Sequence, residues 1–294
     1  MSRSILDRPF MVLVRRELWE HRSLVWAPLV MASAIILLSL ISSTIQGGVD
    51  IQMGGDRSLP GLLTDPEKQR ALFSKLIAGL MVPQLLVGLA VVLFYLLDGL
   101  FTERRDRSIL FWKSLPVSDA KTVLSKLFVA MVAVPLWIWA LSLIVGLVVF
   151  GVLAAKVSGT PAAGLGVWHG GDWLAVQASL LVKLAIAALW YLPVAGWLLL
   201  VSSLAKRAPF VWATLPFIVA SIAERVVLGS NAVAAFLAGR LLGGVSGFSM
   251  TTDGGYSWSP MPEVLTSPEL WLGVAAGAAL IHAAIRVRRR SDDS

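Results

Sequence analysis

The sequence predicts an all-α integral membrane protein with six transmembrane helices and both termini in the cytoplasm. Three observations carry this expectation. Of 294 residues, 57% are apolar and only 15% are charged, and mean hydropathy is +0.78. Soluble domains are about 45–50% apolar and about 25% charged. The apolar residues gather into long runs almost free of charge, each near the roughly 20 residues a helix needs to cross a bilayer. Lys and Arg are unevenly shared between alternate connecting segments. This composition excludes a disordered chain, a basic nucleic-acid-binding domain and an ordinary soluble enzyme.

The spans are predicted at residues 25–45, 76–98, 122–155, 173–204, 209–228 and 269–287. The third is long enough to tilt or project. The fourth contains one charge, Lys183. A charge at a helix centre costs about 2.5–3.5 kcal/mol on insertion scales, so Lys183 is expected either to snorkel toward the outer end or to line a cavity. The fifth span is free of charge only as far as Ala223, and Glu224 and Arg225 follow as candidate gate or cavity residues. The sixth is short and carries Gly273 and Gly277, a GxxxG pair suited to close contact with another helix. Of the 25 Lys and Arg, 17 fall on one side: residues 1–24, the 99–121 and 205–208 connections, the 288–294 tail and the adjoining span ends. Seven fall on the other, around 46–75, 156–172 and 229–268, and Lys183 is the remaining one. The excess marks the cytoplasmic side. Residues 1–24 carry five Arg and two Glu and lack a compact apolar segment, so the first span is expected to stay as an anchor rather than be cleaved as a signal peptide.

The polar segments are organised. Residues 7–22 suit an interfacial helix, with Asp7 as a cap and Pro9 in the first turn. Phe10, Met11, Val14 and Leu18 share one face at helical spacing, and Arg15, Arg16, Glu20 and Arg22 lie mostly on the other. Glu17 and His21 interrupt the apolar stripe. The connection between the second and third spans packs Glu103, Arg104, Arg105, Asp106 and Arg107 together, followed by Ile109, Leu110, Phe111 and Trp112. Pro116 breaks the chain, and Ser118 or Asp119 can cap the helix that becomes the third span. A short helix with a charged start and an aromatic end suits docking into a groove of another protein. The same residues also suit a topogenic cluster with aromatic anchors. Residues 46–75 form a polar outer loop with a helix starting near Pro66. Within 229–268, an apolar helix at 232–242 precedes a Gly/Ser/Thr/Pro-rich stretch, the pattern of a partly re-entrant outer segment.

Chemistry-bearing motifs are scarce. Cysteine is absent, so neither a disulfide framework nor a thiolate metal site is expected. No Lys follows a Gly, so there is no Walker A loop. The three histidines, His21, His169 and His282, are far apart and form no metal-ligand pattern. Gly244-Val245-Ser246-Gly247 fits the GxSG serine motif of rhomboid intramembrane proteases, with His282 in the last span. Only one span follows Ser246, however, and the small residues expected around the rhomboid histidine give way to Arg286 and Arg288. No catalytic residue, bound metal or nucleic-acid partner is predicted. No chain of acidic residues and histidines runs through the spans, as an ion-coupled carrier would need.

Taken together, the layout resembles the ABC-2 type permeases, the membrane subunits of bacterial ABC exporters, which share the ABCG-like transmembrane architecture. The local pattern adds Glu103, Ile109, Leu115-Pro116-Val117-Ser118 and Lys121 or Lys126. Arg107-Ser108 stands where many members of the family carry Gly-Thr. The resemblance implies a membrane permease of the bacterial cytoplasmic membrane, paired with a second copy or a close homologue and embedded in lipid. Two separate ABC ATPase subunits would bind ATP and Mg, and this chain would hold no cofactor and have no enzymatic activity of its own. Residues 103–112 would be the coupling helix. Phe10, Val14, Arg15, Arg16 and Leu18 would belong to the elbow helix. A hydrophobic or amphipathic drug, peptide or lipid would be exported. Two other readings of the sequence are a non-transporting docking or assembly protein and a rhomboid-like or lipid-modifying membrane enzyme.

Overall fold

The computed structural model describes residues 8–44, 66–106, 117–157, 170–246 and 264–290. Among these residues all regular secondary structure is helical. Helix α1 (Arg8–Glu20) leads through a tight turn into α2 (Ser23–Thr44). α3 (Pro66–Gly99) is followed by the short α4 (Phe101–Arg105). α5 (Asp119–Phe128) runs through a π turn at Val129–Ala133 into α6 (Val134–Val157). α7 (Gly170–Leu204), α8 (Pro209–Leu228), α9 (Ala232–Ser246) and α10 (Pro268–Arg290) complete the bundle. Six stretches are long and apolar enough to cross a membrane: α2, α3 with α4, α5 with α6, α7, α8 and α10. α9 is apolar but shorter. The chain is therefore an integral membrane protein by its length and composition of helices.

The helix at Pro66 and the second span form one continuous helix of 34 residues, where the sequence suggested a loop helix and a separate span. Pro28, Pro83, Pro193 and Pro216 lie inside helices. Spanning helices tolerate them because neighbouring groups re-satisfy the freed carbonyls. The π turn immediately precedes Pro135, which lacks the N–H that would bond the Met131 carbonyl in a regular helix.

The core forms where α3, α6 and α7 meet, with α10 laid against α7. α10 packs most extensively against α7, and α2 against α6 and α3. Gly277 of the GxxxG pair, together with Gly196 of α7, explains the first contact. A Cβ on Gly277 would lie 2.8 Å from the Leu192 carbonyl carbon, and one on Gly196 would lie 2.8 Å from the Gly277 oxygen. These positions need glycine because two backbones touch there. Gly273 is different. Its open face is covered by the Arg240 guanidinium from α9, which also sits 4.3 Å over the Trp190 ring. α9 is pinned to the middle of α7, since Trp190 Nε1 donates to the Arg240 carbonyl (3.1 Å) and the Tyr191 hydroxyl to the Leu241 carbonyl (2.7 Å).

A buried charge cluster as candidate functional site

One end of the bundle holds an ionic cluster assembled from four separate elements. α1 buries Phe10, Leu13, Val14 and Glu17, a line at helical spacing. Met11, expected on that face, is instead exposed, and Glu17 occupies the buried line. Phe10 meets Phe128 edge-on with ring centroids 5.7 Å apart, which seats α1 against α5. α5 is capped by Ser118, whose hydroxyl accepts from Lys121 N at 3.3 Å. Its buried face runs through Thr122, Val123, Ser125 and Lys126. α10 buries Leu270, Gly273, Gly277, Ile281, Ala284 and finally Arg288 on one stripe. In each helix a charge continues an otherwise apolar or small face.

These charges meet. Lys126 Nζ donates to both Glu17 oxygens (2.8 and 2.9 Å) and lies 3.1 Å from Glu103 Oε1. Arg288 Nη1 donates to Glu103 Oε2 (2.6 Å), and Arg288 Nε donates to Asp119 Oδ1 (3.1 Å). The Tyr95 hydroxyl donates to Glu17 Oε2 (3.0 Å). Exposure is 0% at Glu17, 1% at Lys126, 3% at Arg288 and 5% at Glu103. Three carboxylates and two cations thus share a site that is buried except at Asp119. Gly99 makes room for it, because a Cβ there would stand 3.2 Å from Lys126 Cδ. A buried charge is tolerable only when paired and hydrogen-bonded, and removing one member leaves its partner uncompensated.

A second set of bonds fixes α4 to the end of α7. The Ser202 hydroxyl accepts from Leu100 N and Phe101 N (3.1 and 3.0 Å), satisfying donors at the start of α4. Arg104 Nη2 donates to the Ser202 and Ala205 carbonyls (both 2.8 Å), which are orphan acceptors at the end of α7. Arg105 and Asp106 remain exposed and pair with each other at 3.1 Å. Arg107, Ile109, Leu110, Phe111 and Trp112 lie outside the described residues.

At the joint between α1 and α2, His21 stacks edge-on against Tyr95 with centroids 4.8 Å apart. Burial holds its imidazole below the ordinary histidine range, with the Glu17 charge pulling the other way. Glu17, Glu20 and His21 bring ligand atoms within 4.8 Å of one another. The Glu17 carboxylate is already bonded to Lys126 and Tyr95, and Glu20 Oε1 to Arg16. Of the other α1 residues singled out by sequence, Leu18 packs partly buried against the core. Arg16 pairs with Glu20 at 2.6 Å, and the exposed Arg15 lies 5.3 Å over the Trp19 ring.

The candidate gate residues are not brought to the cluster. Lys183 lies on α7, half-buried. Arg225 is exposed on α8. Glu224 caps α9: its carboxylate accepts from the Ser230 hydroxyl, from Ala232 N (2.6 Å) and from Val233 N (2.7 Å). An anion at a helix start satisfies orphan N–H groups. Gly229 makes the reversal with φ +64°. His282 is exposed on α10, and Ser246 is the last residue of α9.

Glu103 stands out in the sequence, whereas Glu17 reads as an interruption of an apolar stripe, Arg288 as tail charge, and nothing local marks Tyr95. The available signal was register. Glu17, Lys126 and Arg288 each fall on the buried periodicity of their helices, where a charge implies a partner. In comparisons with protein-family models, curated proteins and solved structures, nothing matches this chain.

Proposed function

We propose that this chain is the permease subunit of an ATP-driven exporter of the ABC-2 type in the bacterial cytoplasmic membrane. It would move a hydrophobic or amphipathic substrate out of the cytoplasm or inner leaflet. The observation that carries the reading is the union of α1, α4, α5 and α10 through Glu17, Glu103, Asp119, Lys126 and Arg288. A push on the connection between the second and third spans would be passed to three spans and the N-terminal helix together. In this reading α1 is the elbow helix, and the segment that begins at Glu103 is the coupling element that meets the ATPase. Arg105 and Asp106 face outward beside it. Both termini lie in the cytoplasm, and α9 is the re-entrant outer element. A second permease copy would pair with this one.

The test is purification of the tagged chain co-expressed with its genomic neighbours. An ATP-hydrolysing subunit should come down in a stable ratio. Arg105→Ala with Asp106→Ala, both outside the buried cluster, should weaken that capture while leaving the chain folded and monodisperse. A folded chain that captures no ATPase contradicts the permease reading.

A further inference from the structure

Helix α1 has two distinct faces. Its buried line, Phe10, Leu13 and Val14 with Glu17, is taken up by contacts with the bundle. Opposite that line, at about 100° per residue, stand Met11, Val12, Arg15 and Trp19. All four are exposed, Val12 to 66% and Trp19 to 65%. The Arg15 guanidinium lies 5.3 Å over the Trp19 ring, and the exposed Arg22 in the following turn adds a second cation. None of these five residues is acidic. Glu20 lies on the flank, where Arg16 pairs with it at 2.6 Å. Three large apolar side chains set among cations suit a headgroup layer. There the apolar tips reach the acyl boundary while the guanidinium groups stay with the phosphates.

The depth of α1 agrees. Phe10 meets Phe128 and Glu17 meets Lys126 in the third apolar stretch, and His21 meets Tyr95 in the second. Lys126 lies against Gly99. Phe128 and Tyr95 stand two and four residues from that crossing, about 3 and 6 Å along their helices. Both ends of α1 are therefore at nearly one depth, and α1 lies across the spans rather than along them. The chain enters α2 directly at Ser23, and Trp26 is exposed in its first turn. Tryptophan is enriched where a span meets the headgroups. The outward face of α1 thus stands at headgroup depth and points away from the bundle.

We infer that this face is a binding surface for anionic phospholipid headgroups. Charge selects the occupant. A guanidinium binds phosphate in a fork of charge-assisted hydrogen bonds. A zwitterionic headgroup brings its own ammonium group to the same place, whereas a lipid of net negative charge does not, and basic residues beside an anionic leaflet are drawn to it. The inference is independent of the transport reading, because it concerns the anchoring of α1 and neither a cargo nor an ATPase.

The chain has no cysteine, so Val12→Cys gives a single attachment point for a fluorophore. Val30→Cys, exposed on α2, gives a reference inside the first apolar stretch. Each labelled full-length chain is reconstituted in vesicles of phosphatidylcholine and phosphatidylglycerol of one fixed composition. A nitroxide quencher near the glycerol end of an acyl chain is carried on one lipid or on the other, at equal mole fraction. At residue 12, the quencher on phosphatidylglycerol should act several-fold more strongly than the quencher on phosphatidylcholine. At residue 30 the two should act equally. Arg15→Gln with Arg22→Gln should bring the ratio at residue 12 down to that at residue 30. Both arginines are exposed and lie outside the buried charge cluster, so this variant should stay folded and monodisperse. If it does not, the comparison of residues 12 and 30 with both arginines in place decides. Equal quenching by the two lipids at residue 12, or a preference that survives the loss of both arginines, overturns the inference. So does a residue 12 that neither lipid quenches, which would place the face in water or under another protein.

Discussion

Two regions of this molecule build their polar contacts on different scales. Around α1, α5 and α10, ionic partners lie 109, 169 and 185 residues apart in the chain, and every charged partner but Asp119 is buried below one-tenth exposure. Around α8 and α9, Glu224 satisfies groups only six to nine residues away. The apolar window of α8 is 11% buried, against 39% for α3 and for α7. The first region is fixed by contacts between distant elements and should respond as a unit. The second is a local hairpin of two helices: α9 is fastened to α7 and α10 through Arg240, Trp190 and Tyr191, and α8 to α7 through Trp197, whose Nε1 donates to the Ala213 carbonyl (3.1 Å), and to α3 where Phe94 stacks on Phe210. The ionic region is therefore expected to be the stiff part, and the more exposed hairpin the one that yields first.

The largest expected effect comes from breaking the stiff part. Lys126→Met leaves Glu17 and Glu103 facing each other without the shared cation, a loss of about 3–5 kcal/mol for an unpaired buried charge. Thermal unfolding in detergent should show it, whereas Arg225→Ala, at an exposed position of the hairpin, should stay within about 0.5 kcal/mol. Equal shifts for the two variants would erase the distinction between the regions.

A smaller and more local effect is expected at Glu224. Glu224→Ala removes the acceptor for Ala232 N and Val233 N, so amide exchange should quicken in the first turn of α9. Protection in α7 and α5 should not change. Quickening that spread to α5 would mean that the hairpin is coupled to the cluster after all.

The smallest effect is a pH dependence at His21. Its folded pKa lies below 6.5, so at neutral pH both folded and unfolded chains carry a neutral ring. As pH falls through about 6.5 the unfolded chain takes up a proton first, and stability falls with it. On acidification from neutrality, the wild type should lose more thermal stability than His21→Gln. A parallel decline in the two proteins would mean that His21 contributes nothing to this slope.

The spans were legible in the sequence because twenty apolar residues without charge have few other uses. The apolar helix at 232–242 was visible for the same reason, and so was the Ser118 cap. The partners of Glu103 were not, because no local pattern ties position 103 to 288 or position 17 to 126. What sequence did contain was the odd charge on a buried stripe, at Glu17 above all. The π turn was also hidden: Pro135 announces a disturbed helix but not its form. Glu224 was legible as a charge at a break, although its engagement as the cap of α9 depends on how the chain turns back at Gly229.

The most direct test of the account is a double-mutant cycle between Glu103 and Arg288, which are 185 residues apart and joined at 2.6 Å. Stability would be measured for Glu103→Gln, Arg288→Met and the combined variant, in detergent and in lipid. If the polar end is one ionic unit, the double variant should be less damaged than the sum of the singles, with a coupling of about 0.5–3 kcal/mol. Simple additivity would contradict the account, since it would mean that the second and sixth spans are not held together by these charges.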